Sequence, residues 1–126
     1  MTVSSRKMLF SGGPEKHLSR GRKRAVGRNN AGRITTRHKG GGHKRLYRLV
    51  DFRQDKQNVP GRIESFEYDP NRTTHIALVA YRDGDRRYML LPQDMQRGTE
   101  IIAAENAPVT PGNRLPLGRI PVGTFL

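Results

Sequence analysis

The stretch HIALVAYRDGDRRYMLL, residues 75–91, decides the fold. Residues 75–81 form a nearly continuous apolar run, long enough for a buried strand and too short for a helix. Residues 86–91 (RRYMLL) make a second candidate strand. Between them, Asp83-Gly84 is a two-residue hairpin signal, because Gly84 readily accepts positive φ. The segment is expected to form an antiparallel hairpin.

Outward from the hairpin the pattern repeats. Residues 62–68 (RIESFEY) read as a strand, and Asp69-Pro70-Asn71-Arg72 suits a type I turn. Asp takes the first corner, Pro70 fixes φ at the second, and Asn71 tolerates the third. Residues 45–52 (RLYRLVDF) and the shorter 99–104 (TEIIAA) are further candidates. Pro108, Pro111, Pro116 and Pro121 keep the last twenty residues out of regular central strands. Of the strand aromatics, Tyr47, Phe52, Phe66, Tyr68, Tyr81 and Tyr88, more are expected in the core than on a base-stacking surface. Short strands joined by tight turns point to a small barrel of OB or SH3-like type, and the count of five favours OB. The expected fold class is all-β: a small five-stranded OB-type barrel over residues 43–126, preceded by a long basic extended arm over residues 1–42.

The charge explains the arm. The 126 residues carry 24 Lys+Arg against 11 Asp+Glu, a formal net charge of +13. Residues 59–126 hold eight of each sign, so the whole excess lies in the first 58. Between Lys16 and Val50 there is no acidic residue. A solvated helical face mixes signs, and this stretch does not. Eight of the fourteen glycines fall between Gly12 and Gly42, and no Phe, Tyr or Trp occurs between Phe10 and Tyr47. Such a segment cannot close a core, and self-repulsion should keep it extended. At roughly 3.3 Å per residue it could reach on the order of 140 Å. Its chemistry fits a polyanion. Arg outnumbers Lys in residues 1–42, and guanidinium binds phosphate bidentately and stacks flat on bases. An Arg/Gly/His peptide of this kind suits the crevices of a large folded RNA, ordering as it binds.

Gly40-Gly41-Gly42-His43-Lys44-Arg45 is the most informative motif. Glycines let the backbone approach a phosphate, and successive N–H groups form an anion-binding concavity. The alternative, ranked behind this reading, is a flexible hinge between arm and barrel. It is no Walker loop, since G-x-x-x-x-G-K-[ST] does not occur. The chain has no cysteine, and His38 and His43 sit among cations without a carboxylate, so no metal or other cofactor is expected. No G-x-S-x-G elbow or acid–base pair emerges, so no catalytic role is expected. No apolar run approaches the ~18 residues of a membrane span, and the arm lacks an apolar face for insertion.

GRNNAGRITTRHKGGGHKRLYRLVDF (residues 27–52), EYDPNRTTHIALVAYRDGDRRYMLLP (residues 67–92) and PGNRLPLGRIPVGT (residues 111–124) together resemble the amino-terminal part of the universal ribosomal large-subunit protein two family. The resemblance implies a structural, primary rRNA-binding protein of the large ribosomal subunit, with a basic extension, an OB domain and then an SH3-like domain. It implies large-subunit rRNA and neighbouring ribosomal proteins as partners. Carried over by position, and with the arm's other cations, the expected rRNA contacts are Arg20, Arg22, Lys23, Arg24, Arg28, Asn29, Asn30, Arg33, Arg37, His38, Lys39, Gly40, Gly41, Gly42, His43, Lys44 and Arg45. Arg72, Arg86 and Arg87 are expected as weaker contacts. The family continues past the position of Leu126 into its second domain. That departure suggests either a split protein, whose other half is a separate chain and whose apolar junction includes Ile120, Val122, Phe125 and Leu126, or a truncated product. A mitochondrial ribosome is the preferred setting, and a bacterial or chloroplast ribosome the alternative. The other function considered is a free OB-type module that binds single-stranded nucleic acid. A polybasic membrane-associated protein stands behind it.

Overall fold

The computed structural model describes residues 9–23 and 25–124; Arg24 of the expected contacts, and Phe125 and Leu126 of the expected junction, lie outside them. The described residues form β1 (Ser19–Gly21), β2 (Leu46–Arg48), β3 (Gly61–Glu67), β4 (Ile76–Tyr81), β5 (Arg86–Leu90) and β6 (Glu100–Ile101), with 3₁₀ turns at Lys16–Leu18 and Leu117–Arg119. The fold is nearly all β, as expected, in two curled sheets. One is four-stranded in the order β5-β4-β3-β6, and the other pairs β1 with β2. All these pairings are antiparallel.

β4 lies at the centre because its residues can be buried on both faces. Ala77 and Val79 join Ile63, Phe66, Met89 and Ile101 in one cluster, while Ile76 and Leu78 join Tyr88 in a second. A continuous apolar run is the signature of such a strand. β3 alternates buried and exposed residues up to Glu64, where a bulge shifts its register against β4. A bulge bends its strand and increases local twist, which curls the sheet. The β4–β5 connection differs from the expected two-residue turn. Tyr81 N donates to Asp85 O at 2.8 Å and Gly84 N to Tyr81 O at 3.0 Å, with Gly84 at φ +88°. This is a three-residue loop, a type I turn closed by a left-handed glycine, which matches the strand twist.

Two expected strands are shorter than their sequence suggests. Residues 45–52 pair as β2 only through Arg48. Then Leu49 N donates to Leu18 O at 2.8 Å and Asp51 N to Tyr88 O at 2.8 Å, so the segment crosses from β1 to β5 and links the sheets. Past Ile101, Ala103 instead bridges Gln57 and Arg114.

Residues 9–21 belong to the folded body rather than to a free arm. β1 adds a sixth strand, and Leu9 and Leu18 pack against the two apolar clusters. Phe10 N donates to Phe66 O at 2.7 Å. Glu15 N donates to the Tyr88 hydroxyl at 2.9 Å, and that hydroxyl donates to Glu67 Oε2 at 2.8 Å. Burial, with the Glu67 carboxylate beside it, pushes the Tyr88 phenol up to about 12. The root of the arm is held by a backbone ladder and a few sparse apolar side chains. Scattered singly among polar residues, these gave no periodic pattern in the sequence.

Candidate nucleic-acid interface

Beyond β1 the chain leaves the sheets and returns at β2. Residues 27–36 close on themselves. Gly27 O accepts from Thr35 N at 2.8 Å, Thr36 N at 3.1 Å and Thr35 Oγ1 at 3.2 Å. Asn29 O accepts from Gly32 N at 3.1 Å, and Asn29 Oδ1 from Arg33 N at 2.9 Å. Gly27 has φ +67°, and a Cβ there would meet the Thr36 carbonyl, so glycine is required. The loop has hydrogen-bonded shape but no core: Val26 and Ile34 are exposed. The expectation of a shapeless arm is thus modified here to a backbone-held loop. It presents Arg28, Asn30 and Arg33 on its surface, followed by the exposed Arg37, His38 and Lys39.

Gly40, Gly41 and Gly42 then take φ of +122°, +73° and +81°. Three successive positive values are open to glycine and costly to any residue with a Cβ. They turn the chain so that His43, Lys44 and Arg45 come back beside Arg22 and Lys23. These residues, with Gly41, Gly42, Ala25, Val26 and Asn71, line an open cleft of about 570 Å³. Of the expected contacts, seven therefore share one concavity although some twenty residues of chain separate its two walls. Arg20 stands apart on β1, opposite Tyr47.

The third wall is the Asp69-Pro70-Asn71-Arg72 turn, which forms as expected: Arg72 N donates to Asp69 O at 3.3 Å and Asn71 N to Asp69 Oδ1 at 2.9 Å. Its role in holding the cleft is not legible in the sequence. Arg45 Nη1 donates to Pro70 O at 2.8 Å, and Asn71 Nδ2 to Leu46 O at 2.7 Å. Asp69, fully buried, anchors the turn. It accepts from Arg72 Nε at 2.6 Å and lies 3.7 Å from Arg48 Nη1. Burial alone would raise its carboxyl, but the hydrogen bonds from Asn71 and Arg72 outweigh that and hold it below the ordinary value of 3.8.

The three weaker contacts are engaged with carboxylates of the sheets and their connections. Arg87 reaches Asp51 at 2.7 Å, Asp55 at 2.5 Å and Asp85 at 3.0 Å. Lys56 joins this network through Asp83 and through Asp85 at 2.9 Å. Arg72 is tied to Asp69 and lies 5.9 Å over the Phe52 ring. Arg86 pairs with Glu64 at 3.2 Å and Glu15 at 3.6 Å. The arm cations lining the cleft make no ion pair among the described residues. Of the strand aromatics, Phe66 and Tyr88 are core, while Phe52 and Tyr68 are exposed. Among the described residues no cluster of three or more His, Asp or Glu is placed to hold a metal, and no helix is long and apolar enough to cross a membrane.

The buried carboxylates set an acid limit on the fold. Burial would raise Asp51, but hydrogen bonds from Arg87 and from the backbone of Gln54 and Arg53 leave it depressed, as Asp69 is. A depressed carboxyl stabilises fully above its unfolded value of 3.8, and that stabilisation is lost as pH falls through the lower folded value. Glu67 runs the other way, raised from 4.5 chiefly by burial. Its contribution is full below 4.5 and is lost as pH rises through the folded value. Hydrogen bonds from Lys56 depress Asp83 and Asp85 as well, so four lowered carboxyls stand against one raised, and the urea midpoint should fall steeply below pH 4. Asp51→Asn should flatten that fall when the midpoints are compared from pH 6 to 2.5.

Residues 15–103, which span the arm and most of the sheets, match the family described as Ribosomal Proteins L2, RNA binding N-terminal domain. The chain is 57% identical over 118 residues to the large ribosomal subunit protein uL2 of Methylococcus capsulatus, and 55% identical over 118 residues to that of Thioalkalivibrio sulfidiphilus. Each alignment covers 94% of this chain and 43% of the relative, so the chain spans less than half the length of the curated relatives it matches. Both relatives are bacterial, which lends the mitochondrial setting no support and agrees with its bacterial alternative. With a match that runs unbroken from the arm's root through β6, the chain belongs to the ribosomal protein L2 family, in its RNA-binding N-terminal part.

Proposed function

We propose that the chain is a structural rRNA-binding component of the large subunit of a bacterial-type ribosome, and that it carries no catalytic step. The observation that carries this reading is the division of its cations. Five cations of the sheets and their turns (Arg48, Lys56, Arg72, Arg86 and Arg87) are matched by carboxylates, whereas Arg22, Lys23, Lys44 and Arg45 converge on one cleft without an acidic partner among the described residues. Unmatched cations beside glycine backbone are the chemistry of phosphate contact. The binding surface is residues 22–45, with Arg20 at its margin. The weaker contacts narrow to Arg86, whose side chain remains half exposed. The curled sheets are an OB-type half-barrel whose part is to anchor and aim that surface. Exposed aromatics are too few for a stacking platform: Phe52 already lies under Arg72, Tyr68 stands edge-on to His75, and Phe66 and Tyr88 are buried. This weighs against the free single-strand-binding module.

Ultraviolet cross-linking with mass spectrometry on ribosomes carrying the chain tests the reading. Peptides from residues 22–45 should carry rRNA adducts, and the chain should stay with large subunits through a moderate salt wash. Recovery in the soluble pool, or adducts confined to the sheets, would refute it. Protein–protein cross-links in the same sample identify the polypeptide beside residues 117–124.

A further inference from the structure

Asn71 is an anomaly in the cleft. The side chains of Arg22, Lys23, Lys44 and Arg45 can only donate hydrogen bonds, and a phosphate can only accept them. A fixed acceptor in such a wall gains nothing from a phosphodiester. Yet the Asn71 amide is fixed, and fixed one way round. Nδ2 donates to Leu46 O at 2.7 Å and to Asp69 Oδ1 at 3.0 Å. Both partners are oxygens that only accept, so the flipped amide would set oxygen against oxygen. Asn71 N is tied to Asp69 as well, at 2.9 Å. Both amide hydrogens are thus spent inside the protein. Oδ1 is left on an exposed residue of the cleft wall, bonded to no other described residue.

That leftover oxygen calls for a donor on the ligand. A cleft of about 570 Å³ is larger than a bare phosphate group and falls within the ~300–1,000 Å³ range of small-ligand sites. It has room for a nucleotide. The glycine and cation walls hold the sugar–phosphate backbone, and the donor closest to a phosphate along that backbone is the ribose 2′-hydroxyl. That group also distinguishes RNA from DNA. We propose that Asn71 is a specificity-determining residue which accepts a hydrogen bond from the 2′-hydroxyl of the nucleotide seated in this cleft. The proposal rests on the reading of the cleft as an RNA site.

Interference mapping with the full chain tests it. The probe is a large-subunit rRNA transcript with sparse random 2′-deoxy substitutions, each tagged by a phosphorothioate. An equally tagged transcript with intact riboses shows the phosphate effects alone. For the unaltered protein, at least one 2′-deoxy position should weaken binding by about 2- to 10-fold, the range of one neutral hydrogen bond. With Asn71→Ala that position should lose its effect, while the phosphate pattern persists. Asn71→Ser, compatible with a turn but too short to reach, should behave the same way and serves if Asn71→Ala does not fold. Identical 2′-deoxy patterns in protein and variants, or no 2′-deoxy effect in the unaltered protein, would overturn the proposal and leave the cleft a phosphate site. Equal weakening of every contact would reduce Asn71 to a positioning residue and overturn it too. Failure of the unaltered chain to bind the transcript defeats the underlying reading of the cleft instead.

Discussion

Changing Arg22, Lys23, Lys44 and Arg45 together to Gln should weaken binding to large-subunit rRNA by roughly 10²–10³-fold near 0.15 M salt, and flatten its salt dependence. Each phosphate contact releases counterion and contributes about 0.7–0.9 to the slope of log K against log[salt]. Four lost contacts therefore remove about 3 from that slope. The effect on the fold should be small, because among the described residues their side chains make no ion pair and one hydrogen bond, from Arg45 to Pro70 O. As a control, Arg87→Gln removes one positive charge but a different function. It should leave the slope almost unchanged while lowering the urea midpoint, since Asp51, Asp55 and Asp85 lose their shared partner. Filter binding from 0.05 to 0.5 M salt separates the two. An equal change of slope per charge removed would show that the cleft cations act only through net charge.

The contrast between Arg87 and Arg45 marks what the sequence could and could not disclose. Both stand in short basic clusters next to a turn. Their difference is made by partners 36 and 32 residues away for Arg87, and 25 away for Arg45. The local signals that did succeed had local causes. The run IALV is buried because it is apolar on both faces. Asp-Pro-Asn-Arg turns because each residue suits its corner. Asp83-Gly84 marks a hairpin even though the loop proved one residue longer. What failed was the arm's inner limit. Leu9, Leu18 and the Glu15 amide are individually unremarkable within a cationic stretch. They matter because Phe66, Tyr88 and the second apolar cluster wait for them across the fold. The glycine run was legible as phosphate chemistry, but the wall that completes it was not. Asn71 read as a turn former, and its second role depends on Leu46 lying opposite.

Asp69→Ala should be the most damaging single change in the molecule, because fold and cleft meet at that carboxylate. The side chain is fully buried and serves three residues: Arg48 on β2 at 3.7 Å, and within its own turn Arg72 at 2.6 Å and Asn71 through both backbone and side chain. Arg48 is itself buried, and its Nε has no hydrogen-bond partner among the described residues. Removing Asp69 would leave that guanidinium with Glu67 alone, at 3.8 Å. Breaking a buried pair from one side typically costs about 3–5 kcal/mol, since the surviving charge remains desolvated. That is a large part of the ~5–15 kcal/mol that holds a small domain together. With a slope of about 1–3 kcal/mol/M, the urea midpoint should fall by roughly 2 M. Asp69→Asn should cost less, because an amide oxygen can still accept from Asn71 while the charge on Arg48 keeps only Glu67 as a partner. Where this milder variant stays folded, its affinity for rRNA should fall although one negative charge has been removed. Electrostatics alone predict the opposite sign, so tighter binding by Asp69→Asn would show that the turn does not aim the cleft. A midpoint within about 0.5 M of the unaltered protein for Asp69→Ala, under 1.5 kcal/mol on that slope, would show that the buried hub does not hold the fold.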